Sequence, residues 1–189
     1  MEQDNSKPSG KLRNGWTTGA CATAAAKACT VALINGKFEK DVTIKLPQGE
    51  MPTFKLSRQV LEDNKACAGI IKDAGDDPDV THGAEIIVSI KPGRPGDGIT
   101  FQAGDGVGTV SLPGLPIPVG EPAINPAPRK MIREVIQSVA CTRGQAVDFE
   151  VTISIPGGKS LAKKTLNGRL GIVGGLSVLG TTGIVRPYS

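Results

Sequence analysis

The chain is poor in aromatic residues and contains a single histidine. Aromatic side chains make up 3% of its 189 residues, so the stacking surface on which many proteins bind single-stranded nucleic acid is poorly supplied. Its four cysteines form no CxxC pair, and one histidine is all that could join them in a metal site. We therefore expect free, buried thiols in a reducing compartment and no protein-bound metal.

Long apolar runs and basic runs are also missing. The N-terminus has neither the basic nor the apolar region of a signal peptide, and no apolar stretch is long enough to cross a bilayer. The net charge of +4 comes from dispersed Lys and Arg residues, without the basic run that marks a nucleic-acid-binding tail. These features predict a cytoplasmic protein without membrane or nucleic-acid partners, and the mild positive charge suits an acidic small molecule.

What the chain does have is enough apolar material for a core, at 39% of its residues. Residues 1–13 are predicted to be a mobile N-terminal segment, and residues 14–189 a single domain. Two long helices are predicted. One runs from about Gly19 to Ile34 in an alanine-rich stretch that Thr17 or Thr18 can cap, and the other from Pro126 to Cys141, capped by the side chain of Asn125.

Strand patterns dominate the remainder. They occur consecutively and not in alternation with helices, which predicts an α+β fold with a mixed or antiparallel sheet and helices on one face. A short helix is predicted at 160–166, and 170–189 has the pattern of the beginning of a further element. The predicted strands cover residues 42–46, 53–56, 65–72, 84–90, 99–102, 108–112 and 147–155.

An acidic loop between two predicted strands is the densest cluster of reactive groups. It contains four aspartates, among them Asp76 and Asp77, together with His82. Such a loop can gather ligands for a hard cation or pair a carboxylate with an imidazole base. Pro78 and the spacing break the EF-hand pattern. The alternative is that Asp and Gly residues simply form turns here.

Three glycines, Gly104, Gly106 and Gly108, follow the predicted strand at 99–102. Their spacing is similar to that of dinucleotide-binding loops, but a strand or loop follows where that motif needs a helix. Glycines that let the backbone approach a flat ligand are the remaining functional interpretation.

The two predicted helix starts are candidate anion sites. Free amides and the positive end of the helix dipole favour anions at Thr17, Thr18 and Gly19, and at Asn125 with the cations of Arg129 and Lys130. The alternative is ordinary capping beside a solvated basic turn.

Together these segments resemble one known family. The strings LRNGWTTGACATAAAKA from Leu12, DAGDDPDVTHG from Asp73 and GDGVGTVSLPGLPIPVGEPAINPAPRKMI from Gly104 are similar to blocks of the cobalt-precorrin-5B C1-methyltransferase family (CbiD), in the family's order. The tail LGTTGIVRPYS is similar to its next block. The resemblance covers about Leu12 to Ser189.

The resemblance implies an enzyme of anaerobic cobalamin biosynthesis that transfers a methyl group from S-adenosylmethionine to C1 of cobalt-precorrin-5B, giving cobalt-precorrin-6A. Cobalt would enter only as part of that substrate. It also implies an α+β domain akin to domain 2 of ribosomal protein S5. The carboxylates of the substrate would suit the helix amides, Arg129, Lys130 and Arg13. If the ring loses a proton, the acidic cluster offers His82, Asp76 or Asp77 as the base.

Members of this family continue past the GTTGIV block into a further domain, so we expect this chain to lack a C-terminal domain. One alternative is accordingly a corrinoid-binding module without transfer activity. A small-molecule kinase is disfavoured because the chain has no lysine-containing P-loop. A homo-oligomer is compatible with the sequence.

Overall fold

A five-stranded sheet covered on one face by two long helices forms the centre of the protein, in a computed structural model that describes residues 12–142, 144 and 147–187. This confirms the predicted α+β class and the mixed sheet. Nearly all of the predicted mobile segment, 1–13, lies outside the described residues. Within the described part of the chain, no helix is both long enough and apolar enough to span a bilayer.

The elements follow in chain order. They are β1 (Gly15–Trp16), α1 (Thr18–Asn35), β2 (Asp41–Thr43), β3 (Thr53–Lys55), β4 (Arg58–Glu62), β5 (Lys65–Ile71), β6 (Glu85–Pro92), β7 (Ile99–Ala103), β8 (Thr109–Val110), α2 (Pro126–Cys141), β9 (Phe149–Ser154), α3 (Gly158–Ala162), β10 (Ile172–Val173) and β11 (Ile184–Val185).

The main sheet has the strand order β4-β5-β6-β9-β7. Its neighbours are antiparallel except β7 and β9, which pair in parallel and are connected through α2. Residues alternate between its two faces, so Ala66, Ala68, Val88, Ile90 and Val151 share the face that the helices cover.

Helix α1 is buried along most of its length because its side chains are small. It packs against β5, β6 and α2, and residues such as Ala24, Ala25 and Cys29 are 0% exposed. The Cys29 thiol contacts the Val88 carbonyl of β6 at 3.3 Å. The helix ends at Asn35, one residue beyond the predicted Ile34, and its C-cap Gly36 adopts a left-handed conformation and donates its amide to the Ala32 carbonyl.

The first and last described strands meet. β1 pairs antiparallel with β11, so Gly15 lies opposite Val185. The short strands β8 and β10 pair in the same way, and β2 and β3 form an antiparallel hairpin. Within residues 170–187, β10 and β11 pair with earlier strands of this domain; that 170–189 begins a further element stays a prediction.

Three other predictions differ from the structure. β4 was missed because all five of its residues are exposed and give no alternating pattern. The helix predicted at 160–166 is α3, which begins and ends earlier. The side chain of Asn125 makes no capping hydrogen bond; Pro128 occupies the third helical position and has no N–H, which leaves only the Ala127 amide for such a bond.

Gly106 lies where three segments of backbone cross. Its φ is +73°, and its carbonyl accepts a hydrogen bond from Leu176 at 2.8 Å. A Cβ atom at this position would collide with the Ile155 carbonyl and approach the Gly158 nitrogen at 2.9 Å. Both the conformation and the space therefore require glycine.

We predict that Gly106→Ala lowers the free energy of unfolding by about 3 kcal/mol, because a left-handed conformation and an overpacked contact are both penalised. Gly36→Ala is the matched control. Gly36 has the same φ of +73° but no atom within 4 Å of an added Cβ, so its loss should be only about 1 kcal/mol. Urea denaturation measures both values, and equal losses would contradict the steric explanation.

Candidate functional site

The acidic loop, residues 72–83, holds the chain that enters α1. The Trp16 amide donates to the Asp73 carbonyl at 2.7 Å, and the Arg13 amide donates to Asp76 Oδ2 at 2.6 Å. The Arg13 guanidinium bonds both carboxylate oxygens of Asp73, at 2.5 and 3.0 Å. The loop therefore uses two of its aspartates, Asp73 and Asp76, to hold the chain that precedes β1.

His82 lies on the surface of this loop with 55% of its side chain exposed. Its Nδ1 accepts a hydrogen bond from the Ala74 amide at 3.1 Å, so the neutral imidazole carries its proton on Nε2. In this tautomer the exposed nitrogen donates a proton and does not accept one. Neither His82 nor Asp76 nor Asp77 lines the two cavities described below, and the assignment of a base among them stays a prediction.

The hydrogen bond from Arg13, assisted by the Gly75 amide at 2.9 Å, lowers the pKa of Asp73 to about 2. The stabilisation is present above the ordinary pKa of 3.8 and is lost as the pH falls through the folded-state value. Because both side chains are largely exposed, solvent screens much of this interaction.

A second ion pair lies at the base of the loop. Lys72 has 1% of its side chain exposed, and its Nζ donates to Asp79 Oδ2 at 2.8 Å. Asp79 Oδ1 accepts from the amide and hydroxyl of Thr81, at 2.7 and 2.6 Å. Burial alone would raise the pKa of Asp79, but the bonds from Lys72 and Thr81 outweigh it and lower that pKa. The carboxylate is therefore ionised at neutral pH.

The start of α1 is covered by the segment that precedes β11. Thr17 Oγ1 accepts from the Ala20 amide at 3.1 Å, and Thr18 Oγ1 exchanges hydrogen bonds of 3.2 and 2.9 Å with the backbone of Leu179. The Gly19 amide donates to the Leu179 carbonyl at 2.8 Å. These contacts favour the capping interpretation of Thr17, Thr18 and Gly19 over an anion site.

The glycines after β7 approach the chain's own atoms. A Cβ at Gly104 would collide with Ser154, and one at Gly108 would lie 2.6 Å from Ile172 and 2.9 Å from the Gly175 carbonyl. With Gly106 described above, all three are explained by packing inside the domain, so their role in substrate binding stays a prediction.

Two of the three predicted residues at the start of α2 hold the preceding loop. The Asn125 amide donates to the Val178 carbonyl at 3.0 Å. The Arg129 guanidinium, 16% exposed, donates to the carbonyls of Ile124 and Pro122 and to Glu121 Oε2, at 2.8 to 3.2 Å. Arg129 thus fixes residues 121–124, and its contacts are made within the chain.

Lys130 is different because 78% of its side chain is exposed, with Nζ 3.8 Å from Glu134. It borders a groove of about 620 Å³ between α1, α2 and the loop after β2. We call this the basic groove. Lys27, Lys45 and Lys130 surround it, and Ile44, Leu46, Met131 and Val135 give it apolar walls. Lys27 Nζ donates to the Thr43 carbonyl at 2.6 Å, which leaves Lys45 and Lys130 as the two more exposed cations.

A second cavity of about 360 Å³ lies beside the start of α1, and we call it the α1 cleft. Thr18, Thr81, Asn167 and Ser177 supply buried polar groups, and Val80, Leu166, Leu170 and Leu179 supply exposed apolar ones. Leu179 lines the cleft whereas Thr181 lines the basic groove. The segment 179–181 is therefore a wall common to both cavities.

Of the residues predicted to bind ligand, the basic groove contains Lys130, and the α1 cleft contains Thr17 and Thr18. Lys45, Asn167, Ser177 and Thr181 were missed because each lies in a separate stretch of sequence. The sequence contains one signal that could have indicated Thr181, because Thr17-Thr18-Gly19 is repeated as Thr181-Thr182-Gly183. The two copies meet at the start of α1, where the Thr17 amide donates to the Gly183 carbonyl at 3.0 Å.

The cysteines are all free, but only Cys21 and Cys29 are buried. Burial raises the pKa of the Cys21 thiol to about 12. Cys67 is half-buried and Cys141 exposed, so the prediction of buried thiols was wrong for Cys141. Among the described residues, no three His, Cys, Asp or Glu side chains are grouped so that they could hold a metal ion.

This geometry defines an α+β domain with one basic and one apolar-rimmed cavity. The chain belongs to the CbiD family, whose model matches residues 4–187. It is 58% identical over 186 residues to the cobalt-precorrin-5B C(1)-methyltransferase of Brucella anthropi, covering 98% of this chain and 50% of that protein. The protein of the same name from Agrobacterium fabrum is also 58% identical, with 94% of this chain and 46% of the relative covered.

A solved structure of a CbiD protein is also similar to this chain. The crystal structure of the cobalamin biosynthesis protein CbiD from Archaeoglobus fulgidus matches with a TM-score of 0.71 and 32% identity, over 95% of this chain and 56% of that one. The chain therefore spans about half the length of the relatives it matches.

We predict that Arg13→Gln raises the pKa of Asp73 from about 2 toward its ordinary value of 3.8, because the hydrogen bond that stabilises the carboxylate is lost. A carboxyl-carbon NMR titration measures this shift. Glu85 is the internal control, because its pKa is lowered by Arg58 and should not change in Arg13→Gln. An unchanged Asp73 titration in Arg13→Gln would contradict the assigned cause.

Proposed function

We propose that this chain is the substrate-binding part of an enzyme that methylates C1 of cobalt-precorrin-5B with S-adenosylmethionine, giving cobalt-precorrin-6A in the cytoplasm. Membership of the CbiD family and the names of the relatives support this reaction. The structural observation that carries the proposal is the basic groove, where Lys45 and Lys130 flank apolar walls.

The groove suits this substrate chemically. A cobalt-precorrin is a broad, largely apolar ring with acetate and propionate groups at its edge. Pro47, Ala127 and Val135 offer apolar surface to such a ring, and Lys45 and Lys130 offer charge to its carboxylates. Both lysines are exposed and hence hydrated, so they would attract and orient an anion at modest cost.

The methyl donor supplies an electrophilic carbon on a sulfonium. In the transfer, the bond between sulfur and the methyl carbon breaks as the bond from that carbon to C1 of the ring forms, and sulfur keeps the electron pair. The protein's own contribution is mainly alignment of the two reactants. His82, Asp76 and Asp77 are the proposed bases for any proton that the ring loses. To act as a base through its exposed nitrogen, His82 would need the tautomer with the proton on Nδ1.

We also propose that the domain has the fold of domain 2 of ribosomal protein S5. It is supported by the mixed five-stranded sheet with α1 and α2 packed on one face.

We predict that Lys45→Glu and Lys130→Glu each weaken the binding of cobyrinic acid, a cobalt corrinoid with free peripheral carboxylates, by roughly 3- to 10-fold at low salt. Each change replaces an attractive charge beside the groove with a repulsive one. Isothermal titration calorimetry measures the dissociation constants, and the difference from the unmodified chain should shrink as salt is raised.

Lys159→Glu is the charge-matched control, because Lys159 is exposed on α3 and does not line the groove. The heptamethyl ester of cobyrinic acid is the ligand control, since it has no carboxylates for the lysines to attract. If Lys159→Glu weakened binding as much as Lys45→Glu, the groove would not be the corrinoid site.

A further inference from the structure

The α1 cleft has a polar floor with unused hydrogen-bonding capacity. Asn167 and Ser177 are each 7% exposed, and the bond between Ser177 Oγ and Asn167 Oδ1 is 3.4 Å long. Asn167 Nδ2 reaches the Gly175 carbonyl at the same distance. A carboxamide has two donor hydrogens and an oxygen with two lone pairs, so these two long bonds leave Asn167 able to bind a ligand.

The rim of the cleft is apolar and faces solvent. Leu166 is 63% exposed, Leu170 49%, Leu179 46% and Val80 40%, and all four surround the same cavity. Single exposed apolar side chains are common, but four around one cleft with a polar floor are typical of a ligand site. Such a rim suits a flat, weakly polar ring.

The charge of the cleft is opposite to that of the basic groove. Asp79 is the one ionisable side chain among the described residues that line it. The balancing Lys72 lies behind Asp79 and is buried, so the pair presents its negative end to the cavity. The groove, in contrast, is lined by three lysines and one glutamate. The two cavities therefore select ligands of different charge.

We propose that the α1 cleft binds S-adenosylmethionine, with Leu166 and Leu170 against the adenine ring, Asn167 and Ser177 on its polar groups and Asp79 facing its cationic part. The inference rests on the proposed function, which requires a methyl donor. The position is suitable because the cleft and the basic groove share the wall at 179–181. The volume of about 360 Å³ lies within the range of small-molecule sites.

The test uses calorimetric titration of the 189-residue chain with S-adenosylmethionine and, separately, with cobyrinic acid. Leu166→Arg and Leu170→Arg place a cation on the rim at exposed positions, so the fold should be retained. Each should weaken S-adenosylmethionine binding by roughly 10-fold or more. Val119→Arg is the control, since Val119 is 56% exposed and lies outside the cleft. Asp79 is left unchanged because its loss would strand the buried Lys72 charge.

A second readout follows the side-chain amide signals of Asn167 by NMR, which should shift on addition of S-adenosylmethionine. Binding that is indifferent to both rim variants, or no binding at all, would overturn the inference. If cobyrinic acid still bound in that case, the proposed role of the basic groove would stand. Conversely, rim-dependent binding of S-adenosylmethionine without binding of cobyrinic acid would support the cleft and refute the groove.

Discussion

The burial of helix α1 is the constraint on which the rest of the domain depends. A helix with alanine, cysteine and threonine along its buried sides can lie close to a sheet and to a second helix at once. Gly19 shows how close: an added Cβ would lie 2.8 Å from Pro128 of α2 and 2.7 Å from the Leu179 carbonyl. Both cavities border this helix, since Lys27 lines the basic groove and Thr18 the α1 cleft.

The residues that look most reactive in the sequence mainly hold loops in place. Arg13 and Asp73 fix β1, and Arg129 fixes the loop before α2. Each uses the strong, directional bonds of a guanidinium to order an irregular segment that has few ladder bonds of its own. The groups open to a ligand are less conspicuous. Lys45 is the one cation in its loop, and Asn167 lies in a stretch interrupted by glycines, so neither belongs to a recognisable motif.

Local features of the chain were predictable, and contacts between distant residues were not. The bounds of α2 follow from Pro126 and the apolar spacing after it, and those of α1 from its threonines and Gly36. The predicted side-chain capping by Asn125 was wrong: Pro128 has no amide hydrogen to donate, and the contact that Asn125 does make, from its backbone amide to the distant Val178 carbonyl, leaves no local pattern. The family and Lys130 could be read from motifs. The groove as a whole could not, because Lys27, Lys45, Lys130 and Thr181 come together only through packing.

The pairing of β1 with β11 has a consequence for how the chain folds as it is made. The start of α1 is completed by hydrogen bonds to Leu179 and Gly183, and Leu179 is synthesised 161 residues after Thr18, the first residue of the helix. Until then the buried helix has an open end, and contacts of such large sequence separation form slowly. Until β11 is synthesised, the N-terminal part of this domain therefore stays incomplete, with apolar surface accessible.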